Sequence, residues 1–227
     1  MVMSNEKVMT EGDALSETHK RFVTSLAIIL LASTVLLSGG WLLIIAIMAT
    51  AALMDREWAN LTPKNSPIWE LFGIVYITLP CIAALALRDL SLAAVLYPIA
   101  LTIATDIGAY ATGRTIGGPK IAPAISPNKT WAGLIGGIVA AIFVSLFMKQ
   151  FVPLPETMMV AVIIGLIAAL LAQLGDFFES WLKRKQGLKD SGTLLPGHGG
   201  LLDRLDGYIL VMPAYLIYLI CAAEMAI

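Results

Sequence analysis

The sequence has little charge. Only 14% of its 227 residues are Asp, Glu, Lys or Arg, whereas soluble domains carry about 25%. That shortage argues against an ordinary water-soluble enzyme, and the 58% hydrophobic content points to an integral membrane protein. Cysteine is scarce too. Cys81 and Cys221 both lie in apolar runs, which argues against a disulfide framework and a cysteine metal site. There is no Walker A lysine loop, no His-Glu-x-x-His run and no Cys/His cluster, so the common nucleotide and zinc signatures are missing. No internal repeat or low-complexity stretch is visible, which counts against a transporter built from repeated halves. The net charge of −1 offers no footing for nucleic acid, because the informative charge is local. A cleavable signal peptide is not expected, since the first apolar run starts late and no small-residue cleavage site closes it.

What the chain does have is apolar sequence in helix-length runs. A span takes about 20 apolar residues, and the runs predict spans over 22–37, 41–54, 68–87, 92–111, 131–147, 157–174 and 205–223. Pro80 should kink the third, and the sixth should continue as a helix to Lys185. Residues 55–67 read as a polar loop and 113–130 as a loop rich in Gly and Pro. The expected fold is therefore all-α and polytopic, with about seven transmembrane helices and a cytosol-facing polar site. Residues 1–21 form a tail, 22–91 the N-terminal membrane helices and 92–227 a catalytic membrane region. With the N-terminus in the cytosol, only Arg88 and Lys149 of the 15 Lys and Arg fall outside. That bias puts the loops after the fourth and sixth spans on one cytosolic face and the C-terminus outside.

Charge is concentrated in residues 180–206. Lys183, Arg184, Lys185, Lys189 and Arg204 alternate there with Asp190, Asp203 and Asp206 around a Gly-rich turn. Charges this close to a bilayer are costly unless they work at a site. Asp176, Glu179, Ser180 and Lys183 are spaced to share one helix face. Asp203 and Asp206 open the next helix, where acids also favour the helix dipole. Asp106 sits inside the fourth span, with Tyr110 and Arg114 at successive turns beyond it. The amides of Gly197, His198, Gly199 and Gly200 can form an anion nest. Ser126, Asn128 and Lys129 precede a helix and suit a phosphate or ribose. In the fifth span, Gly133 and Gly137 form a GxxxG pair, read as close helix packing.

Carboxylates with hydroxyl and amide neighbours suit a hard divalent cation such as Mg²⁺, and the surrounding cations suit a polyphosphate. The residues by themselves lead to metal-dependent transfer between a nucleotide and a lipid, and no further.

Residues Ser180, Lys183, Arg184, Lys189, Asp190, Gly192, Pro196, His198, Gly199, Gly200, Asp203, Arg204 and Asp206 together resemble the diagnostic pattern of the phosphatidate cytidylyltransferases, or CDP-diacylglycerol synthases. The likeness extends to residues 173–176, 106–114 and 126–131, and loosely to Lys20-Arg21 and Glu57-Trp58. Ala132 departs from it, since the family usually has Glu there, and the chain is shorter than typical members in its N-terminal half. The resemblance implies that CTP and phosphatidate give CDP-diacylglycerol and pyrophosphate in a bacterial inner membrane. It implies Mg²⁺ at Asp176 and Asp203, with Asp206 as a further ligand candidate, Mn²⁺ as a substitute and room for a second ion. Lys183, Arg184 and Asp190 would join the two acids in catalysis. Asp106, Tyr110, Arg114, Ser126, Asn128, Lys129, Lys189, His198, Gly199, Gly200 and Arg204 would contact the substrates. The partners are then CTP, phosphatidate and membrane lipid, with a homo-oligomer compatible. A looser form of the pattern occurs in CTP-dependent polyprenol or dolichol kinases, the competing reading.

Overall fold

The structure is a computed structural model and describes residues 11–152, 157–194 and 199–225. Among these residues it has helices α1 (Glu11–Ser38), α2 (Gly40–Leu61), α3 (Pro67–Leu90) and α4 (Leu92–Thr115). A hairpin of β1 (Lys120–Ala122) and β2 (Ser126–Thr130) follows, then α5 (Trp131–Met148), α6 (Met158–Lys185) and α7 (Leu202–Met225). Serine and threonine side chains start three of the helices. Ser91 accepts from the Ala94 amide at 3.0 Å, Thr130 from Gly133 at 3.1 Å and Thr157 from Val160 at 3.2 Å. As the apolar pattern predicts, α6 runs on to Lys185, and α3 continues through Pro80.

Five of these helices are long and apolar enough to cross a membrane: α3, α4, α5 with the short 3₁₀ turn behind it, α6 and α7. In α1 the apolar part is only Val23–Ser38. The last turns of α2 carry Asp55, Arg56 and Glu57, and α2 falls outside this set. Seven expected spans thus become seven helices among the described residues, five of them long and apolar enough to cross. Large apolar side chains such as Leu71, Ile103, Phe143 and Ile217 face outward, as expected of a surface that meets lipid.

Two expectations for the connecting segments need correction. Residues 55–61 are helical, because Met54, Glu57, Trp58 and Leu61 recur on one buried face of α2. The loop after α4 contains an antiparallel hairpin with Lys120 opposite Thr130, so among the described residues the fold is all-α apart from this short ribbon. The tail expected at 1–21 is helical from Glu11, and residues 1–10 lie outside the described residues.

The core lies between α3, α4, α6 and α7, around Leu87, Tyr97, Leu101, Ala168, Met212 and Tyr215. Within it, Ser145 donates to the Ala161 carbonyl at 2.5 Å and lies 2.6 Å from the Tyr97 hydroxyl, linking α4, α5 and α6. A second cluster beneath the polar site joins α2, α3, α6 and α7 through Trp58, Tyr76, Ile77, Leu182 and Leu202.

The tightest helix pair is α4 with α5, and glycine is the reason. A Cβ on Gly133 would lie 2.9 Å from the Ala109 carbonyl oxygen, and one on Gly137 2.9 Å from that of Thr105. Small residues let the two backbones approach, which brings the end of α4 beside the hairpin and Lys129. We predict that Gly137→Leu destabilises the protein by about 1–3 kcal/mol through overpacking. Val139→Leu, on the outward face of the same helix, should have little effect. Thermal unfolding in detergent checks this, and equal midpoints for both variants would contradict it.

Candidate active site

The polar site forms where the start of α7, the end of α6 and the end of α2 meet. The first amides of a helix have no partner inside it. At the start of α7, Glu57 supplies those partners, while Asp203 holds the amides of the loop before it. Glu57 on α2 accepts from the Leu201 amide at 2.9 Å and the Leu202 amide at 2.8 Å. Asp203 accepts from the Gly200 amide at 2.8 Å and the Ser191 amide at 2.9 Å. Ser191 Oγ lies between them, 3.1 Å from Glu57 and 3.0 Å from Asp203. Its single proton serves one of the two at a time. Glycine is required here by close approach. A Cβ on Gly200 would overlap Ser191 Oγ, and one on Gly192 would lie 2.6 Å from Glu57 Oε1. At Gly199, φ is +79°, and a Cβ would come within 2.8 Å of Asp203 Oδ2.

The amide of Gly200, read from the sequence as part of a nest for an external anion, is therefore engaged by Asp203, and those of Leu201 and Leu202 beside it by Glu57. Gly199 and Gly200 serve that approach. His198, with Gly197, lies outside the described residues.

From α6, one face projects into the site as its spacing predicts. Lys183 donates to Asp203 Oδ1 at 2.6 Å and to Glu179 Oε1 at 3.2 Å. Glu179 is almost fully buried, and its Oε2 has no hydrogen-bond partner among the described residues. One turn earlier, Ser180 donates to Asp176 Oδ1 at 3.2 Å. Asp176 Oδ2 pairs with Lys129 of β2 at 2.6 Å. The same ammonium donates to Gln173 Oε1 at 3.1 Å and lies 4.3 Å from the centre of the Phe177 ring. Two lysines, each held by acids, thus stand at the ends of α5, α6 and α7. Both pairs are half-buried or deeper, where screening by water is weak.

Two further acids, Asp106 and Asp206, complete the electrostatics. Asp106 on α4, Asp176 on α6 and Asp206 on α7 lie within electrostatic range of one another, and Asp206 also senses Lys183 and Glu179. Asp206 Oδ1 accepts from the Gly207 amide at 2.7 Å. Close by, α6 approaches α7 at Gly175, where a Cβ would strike the Asp206 carbonyl oxygen. No group of three His, Cys, Asp or Glu side chains among the described residues is already arranged around a cation position. The oxygen donors here are of the kind that suits a hard divalent cation, and Glu179 Oε2 is buried without a partner among the described residues.

The remaining candidates surround this centre. Arg184 donates to the Ile125 carbonyl at 3.3 Å and the Leu188 carbonyl at 3.1 Å, which ties the hairpin to the end of α6. The loops after α4 and α6 therefore share one face. Arg114 donates to the Tyr110 hydroxyl at 2.6 Å, and both are exposed on the last turns of α4. Ser126 and Asn128 lie on β2, and the Asn128 carbonyl accepts from Lys120 at 3.4 Å. Arg204 is exposed on the first turn of α7. Lys189 and Asp190 are exposed and line a cleft of about 770 Å³ shared with Arg56 and Lys64 of the α2 side.

The sequence marked Glu57 only through a loose family likeness, with no role attached, and gave Glu179 no role of its own. The signal for Glu57 was the helical recurrence of Met54, Glu57, Trp58 and Leu61, hidden by the charges of residues 55–57. For Glu179 it was the +4 spacing to Lys183.

Comparison with known proteins adds the following. A family model described as the cytidylyltransferase family matches residues 68–222. The phosphatidate cytidylyltransferase of Brucella suis biovar 1 is 40% identical over 189 residues, covering 81% of this chain and 67% of that protein. That of Staphylococcus haemolyticus is 34% identical over 209 residues, covering 92% of this chain and 72% of its own length. A Staphylococcus aureus protein of the same name is 41% identical over 150 residues, covering 66% and 58%. Glu57 lies outside the segment that the family model matches.

The geometry at Glu57 gives a direct test. Glu57→Gln keeps the shape but replaces one accepting oxygen with a donor, which leaves at least one α7 amide or Ser191 without its acceptor. The expected cost is about 1–3 kcal/mol. Hydrogen exchange at Leu201 and Leu202 should speed up, with exchange elsewhere in α7 unchanged. Unaltered exchange at both amides would show that the contact does not hold the helix start.

Proposed function

Because the chain belongs to the cytidylyltransferase family, we propose that it condenses CTP with phosphatidate to form CDP-diacylglycerol and pyrophosphate. A phosphate oxygen of phosphatidate attacks the α-phosphorus of CTP. The new bond joins that oxygen to the α-phosphorus, and the bond from the α-phosphorus to the oxygen bridging it to the β-phosphate breaks. Pyrophosphate carries away the displaced electron pair. The observation that carries this reading is the pair of acid-held lysines, Lys129 with Asp176 and Lys183 with Asp203, at the shared ends of apolar helices. A lipid phosphate lies at that depth, and a nucleotide reaches it from water.

The residues divide the work by their chemistry. Lys129 and Lys183 each have three N–H groups and two protein partners, which leaves one donor for a phosphate oxygen. A hydrogen bond to such a charged group is worth about 1.5–3 kcal/mol. Arg114, Lys189 and Arg204 are exposed on this face and draw the nucleotide in. Arg184 holds the hairpin, and with it Lys129, against α6.

Mg²⁺ would be held by Asp176 and Asp203, with Asp206 as a further ligand. When bound it would offset phosphate charge and make the α-phosphorus easier to attack. Asp203 already has four protein donors and would exchange one of them for the ion. The cation bias supports a cytosolic N-terminus and site, an outward C-terminus and, with bacterial relatives, an inner-membrane location.

Three measurements follow. With CTP labelled at the α-phosphorus, the lipid product should carry the label, while label at the γ-phosphorus should leave as pyrophosphate. Label from the γ-phosphorus in the lipid would establish a lipid kinase instead. Asp176→Asn and Asp203→Asn should each remove most turnover without rescue by CTP, while Glu70→Gln, exposed on the first turn of α3, should not. Near-normal rates for either Asn variant at low Mg²⁺ would eliminate the proposed ion site. For topology, an impermeant thiol reagent applied to intact cells should label Asp89→Cys and not Gln186→Cys in a chain lacking its native cysteines. The reverse pattern would invert the orientation.

A further inference from the structure

An apolar groove of about 490 Å³ runs between α3, α6 and α7, walled by Phe72, Tyr76, Phe177, Phe178, Trp181 and Leu210. It is not sealed inside the bundle. Phe72 is 44% exposed on the outward face, so the groove opens towards the lipid side. Its inner end adjoins the polar site. Leu210 lies one turn after Asp206 on the same face of α7. Phe177 follows Asp176 and carries the Lys129 ammonium against its ring.

Tyr76 stands where groove and site meet. Its ring is part of the groove wall, and the residue is only 8% exposed. Its hydroxyl is buried, lies within electrostatic range of Glu179 and Asp206, and has no hydrogen-bond partner among the described residues. A buried hydroxyl without a partner is costly. A ligand that satisfies it must present an acceptor at the junction of an apolar channel and a phosphate-binding centre.

We infer that this groove receives one acyl chain of the phosphatidate substrate and that the Tyr76 hydroxyl donates to the carbonyl oxygen of its glycerol ester. The inference rests on the reading of the chain as a phosphatidate cytidylyltransferase. In that lipid the ester carbonyls lie one glycerol unit from the phosphate, and an ester can only accept, which complements a phenol donor. The cytosine ring of CTP is the less suitable occupant, because it carries donors as well as acceptors and the groove wall is aromatic and aliphatic. Tyr76 is then a positioning residue. It fixes how far the lipid phosphate reaches towards Lys129 and the acids.

The test compares diacyl phosphatidate with its dialkyl-ether analogue of equal chain length, in mixed micelles at saturating CTP, with the full chain and its Tyr76→Phe variant. The unaltered chain should show a KM for the diester lower by about five-fold, the scale of one neutral hydrogen bond. Tyr76→Phe should raise the diester KM to the ether value and leave the ether and CTP KM values unchanged. The ether lipid probes the contact without any substitution, so poor folding of the variant cannot imitate the result. Equal use of both lipids by the unaltered chain would overturn the inference. So would an equal loss on both lipids in Tyr76→Phe, which would assign the hydroxyl to Glu179 or the fold. A raised CTP KM would assign the groove to the nucleotide. If the unaltered chain formed no cytidine lipid from either substrate, the function itself would fall, and this inference with it.

Discussion

Glu57 on the first amides of α7, and Asp203 on the loop amides before it, hold the rest of the site in place. A helix that begins near a membrane boundary leaves N–H groups that lipid cannot satisfy. Here the helix start is closed by Glu57 from α2 and Asp203 from its own first turn. Negative charge at that end also complements the helix dipole. Because Glu57 comes from a distant part of the chain, the contact joins α2 to α7, and Trp58 packs into the cluster directly beneath. Asp203 then presents its other oxygen to Lys183, and through Lys183 the ordering reaches Glu179 on α6.

The interleaving of acids and lysines follows from burial. A cluster of Asp106, Asp176, Asp206 and Glu179 at the ends of apolar helices would repel itself strongly in a weakly polar environment. Lys129 and Lys183 offset that charge. Such pairs add little net stability, because desolvation cancels much of the attraction, so their presence is better explained by chemistry than by folding. A lysine held by acids keeps a fixed position while retaining a free donor, which is what a phosphate-transfer site requires. The glycines at 175, 199 and 200 permit the backbone approaches without which these side chains could not meet.

Much of this was legible in the sequence because membrane helices write themselves in long apolar runs. The extension of α6 to Lys185 and the shared face of Asp176, Ser180 and Lys183 followed from spacing alone. Close packing at Gly133 and Gly137 did as well. Features that depend on distant partners were not legible. Residues 55–61 read as a loop because their charges masked an apolar face whose partners lie on α3, α6 and α7. The hairpin at 120–130 was obscured by Gly and Pro, and its register depends on packing against α5 and α6. The nest read at 197–200 looked available to a phosphate, because nothing in the turn itself announces that Asp203 takes the Gly200 amide and that the distant Glu57 takes the next two.

We propose that Glu57, Ser191 and Asp203 act as one unit that positions the transferring groups. A double-mutant cycle on Glu57→Gln and Ser191→Ala, read as the rate of cytidine-lipid formation per folded molecule, tests it most directly. If the unit is real, each single variant slows the reaction and the double variant is little slower than the worse single. Independent effects, with the double variant slowed by the product of the two single losses, would contradict the account.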